Sequence, residues 1–201
     1  MDKKYLIKQL KDLSDGLKLG ISEEAIEKAI SFSRFRVYSK GEVIARTGDK
    51  TTAAGLVING VIRSYYVDRD GNDITQYFAP EGSWCIDSGM VGFAEMQANW
   101  EAIEDTTVML FDVKDMKALI YSEEQLKNVW IMTLESGMRY KIFRENGFLV
   151  ENATERYVEF RKRYPELARR VPLRYIATYL GITPESLSRI RSALKEGENM
   201  N

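Results

Sequence analysis

Apolar positions change their spacing three times along this chain. In Tyr5–Leu13 they fall at 6, 7, 10 and 13, the spacing of a helix, and Ser22 is placed to cap a second helix over Glu23–Ile30. From Phe32 to about Asp112 the pattern becomes short β-branched and aromatic runs divided by turn residues, which predicts antiparallel strands closing into a small roll or barrel. "VINGVI" (57–62) sets Asn-Gly between apolar pairs and predicts a type I′ hairpin, whose two central residues need positive φ. "YYVDRDGNDITQYF" (65–78) predicts another at Asp70-Gly71, with Gly41, Gly48 and Gly82 punctuating the rest. Helical spacing resumes at Met116–Leu119 and runs from Ser122 to about Leu149. In that long helix the apolar positions spread beyond one narrow stripe, so it is expected to be covered on two sides, by its own roll and by a second subunit. Leu126, Trp130, Thr133, Gly137 and Tyr140 are the expected dimer face, with Gly137 admitting close backbone approach; the alternative is one broad core face within a monomer. After Asn152, a good cap, the pattern is helical again, and Tyr164-Pro165 interrupts it. The expected division is therefore 1–121, a sensor roll with its N-terminal helices; 122–150, the long helix; and 151–201, a helical C-terminal domain.

Composition changes this picture mainly by exclusion. The 201 residues contain no histidine and one cysteine, Cys85. That removes Ser-His-Asp and Cys-His nucleophile systems, His-ligated metals and iron–sulfur clusters, and leaves no constellation that reads as an enzyme. Asp87, Glu95, Glu101, Glu104 and Asp105 are acidic, yet spacing alone pairs none of them for catalysis. No run approaches the roughly 18 apolar residues of a membrane span, the start is too charged for a signal peptide, and cysteine is scarce, so a cytoplasmic, non-membrane protein is expected. The net charge of −1 conceals an asymmetry: residues 1–150 sum to −4, and residues 151–201 to +3. Between Pro172 and Lys195 the only acid is Glu185, against Arg174, Arg189, Arg191 and Lys195, a local basic patch that fits a polyanion.

That patch lies within "LRYIATYLGITPESLSRI" (173–190) and the residues just after it. Ile176, Ala177 and Leu180 share one face of a first helix, and Ala177 is small enough to let another helix cross closely. Gly181 supplies the left-handed residue that ends the helix. Ile182 anchors the turn, Thr183 caps a second helix and Pro184 suits its first position. Leu187, Ile190 and Leu194 make its buried stripe, leaving Glu185, Ser186, Ser188, Arg189 and Ser192 outward. This is a helix-turn-helix pattern, whose second helix enters the DNA major groove. Arg189 has two donors for guanine O6 and N7, and Glu185 an acceptor for a cytosine amino group. Thr183, Ser186 and the free N–H groups of the helix start suit phosphates. The plainer reading is a helical hairpin with solvated arginines.

With those residues in view, the chain resembles the Crp/Fnr family of bacterial transcription regulators over nearly its whole length. "VPLRYIATYLGITPESLSRIRSAL" looks like that family's winged helix-turn-helix, "GLVINGVIRSYYVDRDGNDITQYFAPEGSWC" like its cyclic-nucleotide-binding β-roll, and 122–149 falls where its dimerisation helix lies. The resemblance implies an α+β protein: an N-terminal antiparallel β-roll of jelly-roll type, a long dimerisation helix and a C-terminal winged helix-turn-helix. It implies a homodimer on two-fold-related double-stranded DNA, with RNA polymerase as a further partner, and it puts Glu185 and Arg189 at base-reading positions with Arg174, Thr183, Pro184, Ser186, Ser188 and Ser192 beside them. An arginine often found just before the glutamate is Pro184 here, so a different operator is expected.

The sensor departs further from the family. Cyclic-nucleotide-binding members carry Gly-Glu followed about ten residues later by Arg and Ser or Thr, and these clamp the ribose and cyclic phosphate. Here the clamp positions fall at about Met96 and Gln97, the acid is at best Asp87, and no arginine lies between Arg69 and Arg139. A buried cyclic phosphate without a cation is strongly disfavoured, so cAMP is not the expected effector. No cofactor is expected; an unidentified small-molecule effector would occupy a pocket at Gly82, Trp84, Asp87, Met96, Gln97 and Trp100. The competing reading makes Trp84, Cys85, Met90, Phe93, Met96 and Trp100 packed core. The whole chain then reads as a DNA-binding regulator; the reading from another class is a ligand sensor whose C-terminal helices contact protein rather than DNA.

Overall fold

The computed structural model describes residues 3–16 and 19–198. Helices α1 (Lys3–Gly16) and α2 (Glu23–Ser31) open the chain, and the Ser22 hydroxyl caps α2 by accepting from the Ala25 N–H at 3.2 Å. Eight strands follow: β1 (Ser33–Tyr38), β2 (Val43–Ala45), β3 (Ala53–Asn59), β4 (Ile62–Val67), β5 (Asp73–Ala79), β6 (Trp84–Cys85), β7 (Asn99–Ala102) and β8 (Thr106–Asp112). They form two four-stranded sheets, ordered β1-β8-β3-β6 and β2-β7-β4-β5. In the first sheet β8 pairs antiparallel with both β1 and β3, setting Leu110 against Arg34 on one side and Gly55 on the other.

Asn59-Gly60 does not close the hairpin expected of it. β3 and β4 belong to different sheets, and among the described residues Ile86 alone is a non-glycine with positive φ, so the turn is not type I′. Gly60 does have a φ of +97°. A Cβ there would lie 2.8 Å from both the Asp105 carbonyl oxygen and the Thr106 Cα, so close packing as well as conformation requires glycine where the chain changes sheets. The hairpin expected at Asp70-Gly71 does form, between neighbouring strands β4 and β5. Its loop is organised by Asp68, whose carboxylate accepts from the N–H groups of Asn72 at 2.8 Å and Asp70 at 2.9 Å. Those donors, Asn72 foremost, hold the Asp68 carboxyl below the ordinary aspartate range.

The chain then becomes helical: α3 (Val113–Ser122), α4 (Glu124–Val150), α5 (Ala153–Arg163), α6 (Pro165–Arg170), α7 (Leu173–Tyr179) and α8 (Pro184–Glu198). Asn152 and Glu155 form a reciprocal capping box at the start of α5. Among the described residues no strand follows Asp112, so the C-terminal helix-turn-helix is built of helices alone and no wing strands are seen. No described helix is long and apolar enough to cross a membrane.

The fold separates into two compact units, Met1–Ile62 with Ala79–Tyr140, and Arg63–Phe78 with Lys141–Asn201. In the first, Ile7, Leu10 and Ile26 from the opening helices pack with Met109 and Phe111 of β8 and Leu119 of α3. In the second, Phe78 of β5, Phe160 of α5 and Tyr179 of α7 form a ring cluster with centroids 5.3–6.3 Å apart. The β4–β5 hairpin thus shares its core with the C-terminal helices.

Candidate functional site

The second unit holds α7, a turn and α8 in the arrangement the sequence predicts. Ile176, Ala177, Leu180 and Leu187 are almost wholly buried. Gly181, at φ +69°, ends the first helix, and the Ile182 N–H returns to the Ala177 carbonyl at 3.0 Å. Thr183 caps α8: its hydroxyl accepts from the Ser186 N–H at 3.2 Å, and Pro184 occupies the first position, where no N–H is needed.

The cap leaves a polar row facing solvent. Thr183, Pro184, Glu185, Ser188, Arg189 and Ser192 are exposed and Ser186 is half-buried. Arg189 donates to the Ser186 hydroxyl at 3.4 Å, which aligns the guanidinium along the first turns. Glu185 is held below the ordinary glutamate range by its own backbone N–H first, then by the Thr183 hydroxyl and the Arg189 charge. An exposed carboxylate acceptor and a two-donor cation therefore stand one turn apart at the helix start. Arg174 is exposed too, with its guanidinium 4.6 Å from the Tyr175 ring centroid and donating to the Tyr175 hydroxyl at 2.7 Å.

Several residues that sequence reasoning passed over anchor α7, the helix before this row. Arg144 donates to the Tyr179 carbonyl at 2.6 Å, and Arg156 to the Leu180 carbonyl at 3.1 Å, so two carbonyls at the end of α7 are satisfied by side chains. Arg63 of β4 is buried, its guanidinium 4.2 Å from the Tyr65 ring and 3.7 Å from the ring of Tyr175 in α7. It pairs with Asp73 and donates to the Thr75 hydroxyl at 3.3 Å. The Thr75 and Thr178 hydroxyls lie 2.9 Å apart, and the Thr75 N–H donates to Thr178. Alternation along β4 and β5 shows that Arg63 and Thr75 point to one face; only the tertiary fold shows that this face meets α7.

In the first unit the expected effector residues are dispersed in character. Gly82 forms a turn at φ +79° and Asp87 is half-buried. Trp84 packs at 5.9 Å on Phe111 and 6.4 Å on Trp130, joining the core. Of the two residues expected at the clamp, Met96 is buried, while Gln97 is exposed and donates to the Glu95 carbonyl. Trp100 is buried with its indole N–H unpartnered, and Ile86 is a β-branched residue at φ +48°. Cys85 is fully buried; desolvation, then the Asp87 charge, pushes its thiol well above the ordinary range, which disfavours the reactive thiolate.

Helix α4 presents a face different from the expected one. Leu126 is in the core of its own chain, Trp130 packs against that core, and Thr133 bonds back to the Val129 carbonyl at 2.9 Å. Gly137 has nothing within 4 Å of an added Cβ, and Tyr140 is half-buried. The open apolar stripe lies about a third of a turn away, at Ile131, Leu134, Met138 and Ile142, all exposed and spaced three and four apart.

Residues 35–123 match the cyclic nucleotide-binding domain. The chain is 28% identical over 101 residues to the cyclic AMP receptor protein of Thermus thermophilus, a match spanning 50% of this chain and about half (47%) of that relative. Its fold is similar to that of FixK2 from Bradyrhizobium japonicum (TM-score 0.73, 23% identity, 83% of this chain and 86% of the other). It is also similar to CLP of Xanthomonas campestris, described as a c-di-GMP-responsive global regulator (TM-score 0.70, 13% identity, 88% and 93%). Over residues 35–123 the chain is thus similar to the cyclic nucleotide-binding domain, and its fold is similar to those of these solved structures.

Proposed function

We propose that this protein is a sequence-specific DNA-binding transcription regulator, acting as a homodimer, whose sensor roll does not bind cAMP. The observation that carries the reading is the exposed pair Glu185 and Arg189 on the first turns of α8, behind a helix-turn-helix whose caps and carbonyls are satisfied. A helix so placed offers base-edge chemistry at its start and phosphate-binding N–H groups behind it. The open stripe on α4 supports pairing of two copies, which would put two recognition helices on half-sites about one helical turn apart. Buried Met96 and exposed Gln97, at positions where a clamp would need a cation and a hydroxyl, support the exclusion of cAMP. A ligand in the roll would act by shifting dimers between DNA-competent and incompetent arrangements of α4, and RNA polymerase is the partner such a regulator would recruit or block.

Selection of duplexes from a random pool tests the reading. The expected result is a two-fold-symmetric sequence, protected as one footprint, with affinity falling steeply as salt rises. Recovery of no preferred sequence would overturn it. Calorimetry is expected to show no heat of binding with cAMP, and saturation at micromolar cAMP would overturn that part.

A further inference from the structure

Beside the reading row, the C-terminal helices enclose a cleft of about 360 Å³. Its walls come from three helices: Tyr157 and Arg161 of α5, Pro165 and Arg169 of α6, Arg191 and Lys195 of α8. Four of the lining residues are cationic, and none carries a carboxylate. Arg169 does pair with Glu166, but both side chains are mostly exposed, and exposed pairs of this kind give way readily to a better anion. Arg191 is half-buried and, with Lys195, makes no hydrogen bond or ion pair among the described residues. Gathering like charges around one concavity opposes folding, and an anion bound there would reverse the sign of the interaction.

The helical wheel of α8 gives the cleft its direction. Leu187, Ile190 and Leu194 form the core sector, while Glu185, Ser188, Arg189 and Ser192 form the reading sector. Arg191 and Lys195 occupy a third sector, on the flank between them. A helix with side chains is about 10–12 Å across, and the major groove is about 12 Å wide. When one sector meets base edges, its flanks meet the sugar-phosphate walls. Arginine forks match phosphate oxygens in geometry as well as charge.

We propose that this cleft is a phosphate site, and that the phosphate it takes is a backbone phosphodiester of the DNA flanking the base-reading contacts. The proposal rests on the DNA-reading function above and assigns Arg161, Arg169, Arg191 and Lys195 to a role distinct from that of Glu185 and Arg189. A free phosphate ester has the same chemistry, so the test has two arms.

In the first arm, binding of the selected operator is measured against salt for the parent, for Lys195→Gln alone and for the double variant Arg191→Gln/Lys195→Gln. The slope of log K on log salt is expected to fall by about 0.9 for each phosphate no longer neutralised, with equal weakening on preferred and scrambled duplexes. Lys195 is exposed, so its variant keeps the test valid should the double variant lose stability. In the second arm, inorganic pyrophosphate is titrated calorimetrically without DNA. A reduced slope supports the backbone assignment. Saturable pyrophosphate binding that is abolished in the double variant, with an unchanged slope, overturns that assignment in favour of a free phosphate ligand. An unchanged slope with no pyrophosphate binding overturns the cleft as a phosphate site. If the parent selects no DNA sequence, the DNA reading fails by itself, and pyrophosphate binding abolished in the variants still supports a phosphate site.

Discussion

Arg189 and Glu185 are one helical turn apart. The Arg189 charge helps keep Glu185 ionised, and the Ser186 hydroxyl orients the guanidinium. Replacing Arg189 with Ala is therefore expected to weaken operator binding by about 1–3 kcal/mol and to relax preference at a single base position. Competition binding against single-base operator variants checks this, and equal affinity for the parent operator would remove Arg189 from base reading. Glu185 adds a pH dependence of defined sign. Its folded pKa lies below the ordinary value, so its contribution to the start of α8 is present above the ordinary glutamate range and is lost as pH falls through the folded value. Glu185→Gln is expected to flatten the stability profile in the acidic limb, read from urea midpoints across that range. The cap, the proline and the exposed positions of these residues were legible in the sequence because they are local in the chain. Arg144 and Arg156 were not, since nothing in their spacing shows that they reach carbonyls at the end of α7.

At the scale of elements, the β4–β5 hairpin couples the strands to helix α7. Arg63 is held by two rings, an acid and a hydroxyl, and Thr75 reaches Thr178. Buried between rings, such a cation is worth about 2 kcal/mol or more, and its removal would leave the Thr75–Thr178 pair unsupported. Arg63→Met is expected to lower unfolding stability by about 2–3 kcal/mol. It is also expected to weaken operator binding without changing which sequence is preferred; urea titration and competition binding measure the two effects. A changed sequence preference would mean that the hairpin does more than hold α7 in place. Turn chemistry announced this hairpin correctly at Asp70-Gly71. At Asn59-Gly60 the same kind of signal marked a positive φ but not a pairing, because the glycine serves the packing against Thr106 where the chain passes from one sheet to the other.

For the whole molecule, the proposed pairing rests on the exposed stripe Ile131, Leu134, Met138 and Ile142 on α4. Exposed apolar positions at this spacing match the seam of paired helices. Met138→Glu is expected to shift the protein toward monomer in sedimentation and to reduce operator affinity by at least tenfold, since a dimer binds both half-sites at once. A monomeric parent, or a variant that remains dimeric with full affinity, would argue against this face. Helical periodicity correctly showed more than one apolar side. It placed Leu126 and Trp130 on the partner face, whereas both pack against the core of their own chain, because a helix's periodicity does not say which neighbour covers each side.

The sequence by itself determined the succession of helical, strand-rich and helical segments, the helix-turn-helix and its cap, and the lack of any arginine between Arg69 and Arg139. These depend on residues close together in the chain, where φ preference, capping and periodicity act. Tertiary structure alone decided that β3 and β4 part into separate sheets, that the hairpin packs on α7, which face of α4 stays open, and that four cations from three helices share one cleft. Each of those joins residues distant in sequence, and such contacts depend on how whole surfaces pack rather than on any local preference.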